Sequence, residues 1–207
     1  MATRVKVCGI TRIEDGLAAT SFGADAIGFV FYAPSPRYVA PTHAREIAVA
    51  IAPFVSTVGL FVDADVATVS NVLQTIRLDY LQFHGDESPE YCAQFGVPFL
   101  KAIRVKPGVD LLQYAAEFHA AKAILLDAFV EGTHGGTGQR FDWQLIPRNL
   151  PLPVILSGGL VPGNVTEAIR KVMPWAVDVS SGVEIAKGVK DAGKIEQFMR
   201  GVRNADV

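Results

Sequence analysis

The side chains in this sequence best suited to chemistry stand at the ends of apolar runs. Cys8 closes the run that starts at Val5, directly before Gly9 and a helix-start signal. A thiol so placed feels the positive end of a helix dipole, which favours the thiolate. The competing role for a free cysteine is that of a small buried hydrophobe, and Cys92, inside a predicted helix, is assigned that role. Asp127 ends the segment AILLD. There, partial desolvation would raise a carboxyl toward use as a general acid, although a helix cap or a hydrogen-bonded structural acid fits the position equally.

Arg37 lies in PSPRYV, on a loop stiffened by Pro34 and Pro36, where a guanidinium fork could grip a carboxylate. His84 in LQFHGDE suits proton transfer or substrate orientation, or a structural hydrogen bond, with Gln82 two residues before it. Three segments, 132–143, 157–165 and 177–184, are rich in glycine or serine. Gly136, Gly158, Gly159, Ser180, Ser181 and Gly182 are their candidate phosphate contacts, with Asp178 in support. Glycine lets backbone amides approach an anion closely, and a following helix adds its dipole. No Cys/His metal spacing, G-x-S-x-G elbow or Walker loop is present.

What must position these groups is a series of short strands. Runs beginning near Val5, Ala26, Thr57, Tyr80, Phe99, Ala123, Val154 and Val177 recur about every 20–30 residues. Most are continuously apolar, the pattern of strands covered on both faces in a parallel sheet. Between them lie amphipathic stretches with their own punctuation. Thr11 with Glu14 suggests a capping box and Gly23 a helix stop; Asp65 and Asn164 read as helix caps. Val66, Val69, Leu73 and Ile76 fall at helical spacing, as do Ile195, Phe198, Met199 and Val202.

Eight β-then-α units allow a (β/α)8 barrel or an open doubly wound sheet. The open sheet favours a glycine-rich turn after its first strand, whereas here such turns follow the sixth, seventh and eighth. The prediction is therefore an α/β chain with one TIM-barrel domain over 1–207. Its site is expected at the C-terminal strand ends: Cys8, Phe31 with Arg37, Asp63, Gln82 with His84, Arg104, Asp127, Ser157 to Gly159 and Asp178 to Gly182.

Composition narrows the partners. The 207 residues are 50% hydrophobic, with a formal net charge of −2, which supplies a core but no basic footprint for nucleic acid. Two cysteines make no disulfide framework. No apolar run reaches the ~20 residues of a membrane span, and the first residues, MATRVKVCGIT, carry no signal-peptide pattern. A soluble, cytoplasmic protein is expected, monomeric or weakly dimeric, that takes a small-molecule substrate.

KVCGIT at 6–11, GFVF with SPRYV within 28–39, LQFHGDE at 81–87, LLDA with GGTGQRFDW within 125–143, LSGGLVPGNV at 156–165 and VDVSSGVE at 177–184 together resemble the phosphoribosylanthranilate isomerase family. That resemblance covers almost the whole chain. It implies an Amadori rearrangement in tryptophan biosynthesis, without cofactor or metal. It also implies Cys8 as general base, Asp127 as general acid, Arg37 on the substrate carboxylate and phosphate held by the glycine- and serine-rich turns. Two other functions are compatible with such a barrel. One is the sister isomerisation of histidine synthesis, expected to use an aspartate where Cys8 stands. The other is a barrel that binds a phosphorylated ligand without turning it over.

Overall fold

The computed structural model describes residues 2–106, 108–128 and 143–205. Eight strands close one parallel barrel in chain order: β1 (Arg4–Cys8), β2 (Ala26–Val30), β3 (Ser56–Phe61), β4 (Tyr80–Phe83), β5 (Phe99–Val105), β6 (Ala123–Ala128), β7 (Val154–Leu156) and β8 (Ala176–Val179). Each begins within one residue of its predicted start. β8 pairs with β1 through Arg4–Ala176 to Val7–Val179, which closes the ring.

The described helices are α1 (Ile13–Ser21), α2 (Pro41–Ala50), α3 (Val66–Thr75), α4 (Pro89–Ala93), α5 (Leu111–Glu117), α6 (Val165–Val172) and α7 (Ala192–Ala205). A two-stranded hairpin, β9 (Glu184–Ala186) with β10 (Val189–Lys190), stands between β8 and α7.

Alternation along each strand divides the core in two. Outward residues such as Val5, Val7, Phe29, Phe61, Phe83 and Val177 join the helices' apolar faces in one large cluster. Inward residues fill the barrel in layers. Val58, Leu100, Ala102, Ala123, Leu125, Ile155 and Ala176 form one apolar plug. Cys8, Val30, Leu60 and Val62 group nearer the C-terminal end, where Tyr32 packs on them. The runs look continuously apolar because both faces of the strands are buried.

Helix punctuation was legible where it is local. α1 stops at Gly23, whose φ of 100° accepts the left-handed turn. Gly23 N–H donates to Thr20 O at 3.1 Å and Ala24 N–H to Ala19 O at 3.0 Å, a Schellman pair. Asp65 caps α3 by accepting from Thr68 N–H at 2.7 Å.

Three local expectations are corrected in whole or in part. The Thr11–Glu14 box does not form. Arg12 occupies the N-cap of α1 without a side-chain cap, Thr11 Oγ1 donates to Gly188 O at 2.5 Å, and Glu14 pairs with Arg12 at 3.2 Å. Asn164 occupies the N-cap of α6 as expected, but its side chain makes no cap bond; it turns back to accept from Val161 N–H at 2.8 Å and to donate to Gly159 O at 2.9 Å. On α3 the buried stripe runs through Val69 and Val72, while Val66 is exposed.

Candidate active site

The C-terminal ends of the strands bring the predicted residues to one mouth. Cys8 ends β1, and Asp127 stands one residue before the end of β6, on strands separated by β7 and β8. Both side chains are buried. His84, just beyond β4, lies 3.1 Å through Nε2 from Asp127 Oδ2, and Gln82 Nε2 lies 3.1 Å from His84 Nδ1. With the Gln82 amide as donor to Nδ1, the imidazole proton sits on Nε2 and is donated to the carboxylate. The buried Gln82 Oε1 has no hydrogen-bond partner among the described residues. Arg104 on β5 donates from Nη2 to His84 O at 3.4 Å, tying the same turn from its other side.

A buried ion pair supports that turn. Lys101 Nζ on β5 is 2.7 Å from Glu87 Oε2 and 2.7 Å from Gly85 O. Glu87 in turn accepts from Asp63 N–H at 2.9 Å and Gly85 N–H at 3.0 Å, joining the loops after β3 and β4. Removing one partner leaves an uncompensated charge in the core. Lys101→Met is therefore expected to lower unfolding stability by about 3 kcal/mol, measured by urea denaturation. A loss under ~1 kcal/mol would show that the loops hold His84 without the pair.

Around Cys8 the structure departs from the sequence expectation. Helix α1 begins only at Ile13, so its N-terminus is not adjacent to the thiol. Burial dominates and pushes the Cys8 thiol up rather than down, opposed by Lys6 and Lys190 and reinforced by Asp178. Cys92 is a fully buried core residue of α4, as expected, and burial pushes its thiol up to about 12.

Arg37 reaches the same mouth, and its stem lies across Gly9. A Cβ at Gly9 would come within 2.7 Å of Arg37 Cδ and 3.1 Å of Ser180 Oγ, and its φ is 74°, so only glycine fits there. The fork is already half engaged: Nε and Nη2 each lie 2.8 Å from a carboxylate oxygen of Glu184. The carboxylate the fork grips within the chain is thus that of Glu184. Glu184 orients the fork through Nε and Nη2, and these two bonds do not use Nη1. Burial alone would raise the Glu184 carboxyl, but Arg37 and Lys190 outweigh it and hold it below the usual carboxylate range. Lys190 on β10 bonds Glu184 Oε1 at 2.8 Å and Ser180 O at 3.2 Å.

The two glycine- and serine-rich turns meet. Gly158 and Gly159 take φ of 80° and 66°, and Asn164 stitches the turn that follows them. Gly182 opens onto Leu160, where an added Cβ would fall 1.9 Å from the Leu160 carbonyl oxygen. Ser180 and Ser181 sit beside this junction, and Asp178 pairs inside the barrel with Lys6 at 2.9 Å. Gly136 lies outside the described residues.

Sequence reasoning missed Lys6, Glu184 and Lys190. The alternation that puts Cys8 inside the barrel also puts Lys6 there, so that signal was available; the other two depend on long-range packing. At the opposite, N-terminal end a cavity of about 710 Å³ is lined by Arg4, Arg148, Arg170 and Trp175, among others. None of the predicted residues lines it. No helix among the described residues is long and apolar enough to cross a membrane.

Residues 5–201 match the family described as N-(5'-phosphoribosyl)anthranilate (PRA) isomerase. A protein of that name from Nitrosospira multiformis is 60% identical over 202 residues, 98% of this chain and 97% of its own. The phosphoribosylanthranilate isomerase of Thermotoga maritima is 41% identical, with a TM-score of 0.88 over 99% of this chain and 98% of that one. A further isomerase structure, in complex with reduced 1-(o-carboxyphenylamino)-1-deoxyribulose 5-phosphate, is 40% identical with a TM-score of 0.86 over 97% of this chain and 98% of that one. A closed eight-stranded barrel, a mouth that gathers Cys8, Asp127 and Arg37, and relatives alike over nearly their full length agree: this chain belongs to the N-(5'-phosphoribosyl)anthranilate isomerase family.

Proposed function

We propose that this chain converts N-(5'-phosphoribosyl)anthranilate to 1-(2-carboxyphenylamino)-1-deoxyribulose 5-phosphate by general acid–base catalysis, as a step of tryptophan biosynthesis. The observation that carries the reading is the pairing, in one barrel mouth, of a buried thiol with a buried carboxyl that a histidine orients. A barrel that only binds a phosphate ester has no use for that pair. The cysteine also disfavours the histidine-pathway reaction, for which an aspartate is expected at that place.

Asp127, which meets His84 through Oδ2, acts as the general acid. Protonation of the furanose ring oxygen opens the ring, and the nitrogen lone pair forms a Schiff base. The cation acidifies the sugar C2–H, and the Cys8 thiolate removes that proton to give an enolamine. Tautomerisation to the ketone completes the isomerisation. The phosphate lies between the Gly158–Gly159 turn and the Ser180–Gly182 turn, with Gly136 as a further contact. The anthranilate carboxylate pairs with Arg37. Anchoring both ends orders the reacting centre, a use of remote binding energy. The same reading makes the chain a single domain over 1–207, cytoplasmic, monomeric or weakly dimeric, and active without cofactor or metal.

The direct test follows loss of substrate fluorescence with N-(5'-phosphoribosyl)anthranilate generated in situ. Turnover is expected; a folded protein without it would redirect the assignment to the aminoimidazole substrate of histidine synthesis. Arg37→Ala is expected to raise KM by roughly tenfold or more, the scale of a lost charge-assisted hydrogen bond, with a smaller effect on kcat. A fall in kcat alone would remove the anchor role.

A further inference from the structure

We propose that Lys6 is the counter-ion of the Cys8 thiolate, held beneath the sulfur inside the barrel by Asp178. The inference rests on Cys8 being the base, and it supplies what the distant helix α1 does not. A thiolate inside a buried mouth needs a compensating positive charge.

Lys6 and Cys8 are two residues apart on β1, so both side chains point into the barrel on the same side. Gly28 stands opposite Cys8 in the β1–β2 register. A Cβ there would come within 2.8 Å of Cys8 Sγ and 3.1 Å of Lys6 Cε. The missing side chain on β2 is therefore what lets the lysine stem and the sulfur lie alongside one another. Lys6 Nζ is fixed by Asp178 Oδ1 at 2.9 Å, with side-chain exposures of 5% and 6%. The other oxygen of Asp178 lies 3.5 Å from Ser157 Oγ. Lys6 and Cys8 favour each other's charged forms, the ammonium lowering the thiol and the thiolate raising the ammonium.

Among the described residues, three charged groups act on the sulfur. Lys6 comes from its own strand, Asp178 from β8 and Lys190 from β10. Lys190 is shared with Glu184 at 2.8 Å and with Ser180. Without Lys6, Asp178 loses its ammonium and opposes a thiolate, and the positive charge that remains is Lys190, already shared with Glu184 and Ser180. A lysine placed only to neutralise Asp178 would not need the gap at Gly28 that brings it to the sulfur.

The test is a titration of the full chain without substrate, reading ultraviolet thiolate absorbance and subtracting the same curve for Cys8→Ser. Cys92 stays protonated over the range because burial holds its thiol at about 12. Lys6→Met is expected to move the Cys8 midpoint up by about one pH unit or more. The acid limb of kcat/KM should move in the same direction, which loss of a merely structural pair would not cause. Lys6→Met leaves Asp178 buried alone and could prevent folding. The double variant Lys6→Met/Asp178→Asn removes both charges and is expected to raise the midpoint too. Lys6→Arg, which keeps the charge, should restore part of the shift. An unchanged midpoint in the double variant overturns the proposal. Because the midpoint is read by absorbance without substrate, that result leaves the assignment of Cys8 as base to be judged by turnover of the Cys8 variants.

Discussion

Asp127→Asn is expected to lower kcat by roughly 10²- to 10⁴-fold, the range for a general acid. The amide is nearly isosteric, and its oxygen can still accept from His84 Nε2–H, which meets Asp127 Oδ2 at 3.1 Å in the native site. The turn holding His84 keeps its other supports, the Lys101–Glu87 pair and the Arg104 contact. What vanishes is the proton that opens the furanose ring. The loss should therefore appear in kcat with KM changed much less, since the phosphate and carboxylate anchors lie elsewhere. Steady-state fluorescence of N-(5'-phosphoribosyl)anthranilate measures both. A variant that keeps kcat within about tenfold of wild type would mean that ring opening draws its proton from another group.

The barrel was legible because its cause is local and repeated. A strand buried on both faces must be apolar at consecutive positions, and eight such runs separated by helical stretches leave a barrel or an open sheet, between which the glycine-rich turns after the sixth, seventh and eighth decide. Cys8 and Asp127 were legible for the same reason, as polar interruptions where those runs end. What failed depended on partners distant in sequence. Thr11 carries a capping signature, yet tertiary packing gives its hydroxyl to Gly188, 177 residues away. Asn164 has the composition of a cap, but the turn at Gly159 uses both ends of its amide. For Arg37 the sequence shows a fork suited to a carboxylate, but not that folding brings Glu184 against two of its nitrogens. The expected dipole at Cys8 failed through spacing: four residues separate the thiol from Ile13, the first residue of the helix. Lys6 was hidden differently. Lysine is rarely buried, so its type masked what the two-residue spacing from Cys8 shows, that both side chains share the inward face of β1.

Cys8→Ser should be as damaging as the loss of the acid, with kcat down by roughly 10²-fold or more. Serine fills the same space and tests charge rather than shape. A hydroxyl is far less acidic than a thiol, so the positive neighbours that make a thiolate accessible cannot make an alkoxide. Burial works against the native base as well, pushing the thiol up, with Lys6 and Lys190 opposing it. The sign of the pH dependence follows. The active form is the deprotonated one, so kcat/KM should rise with pH along the acid limb until the thiolate is fully formed. In Cys8→Ser that limb should disappear from the residual activity, because no group titrating there removes the C2 proton. A serine variant that keeps both the limb and near-normal turnover would take the base role from Cys8. It would place the proton acceptor among the other groups of the mouth, of which His84 lies in direct contact with Asp127.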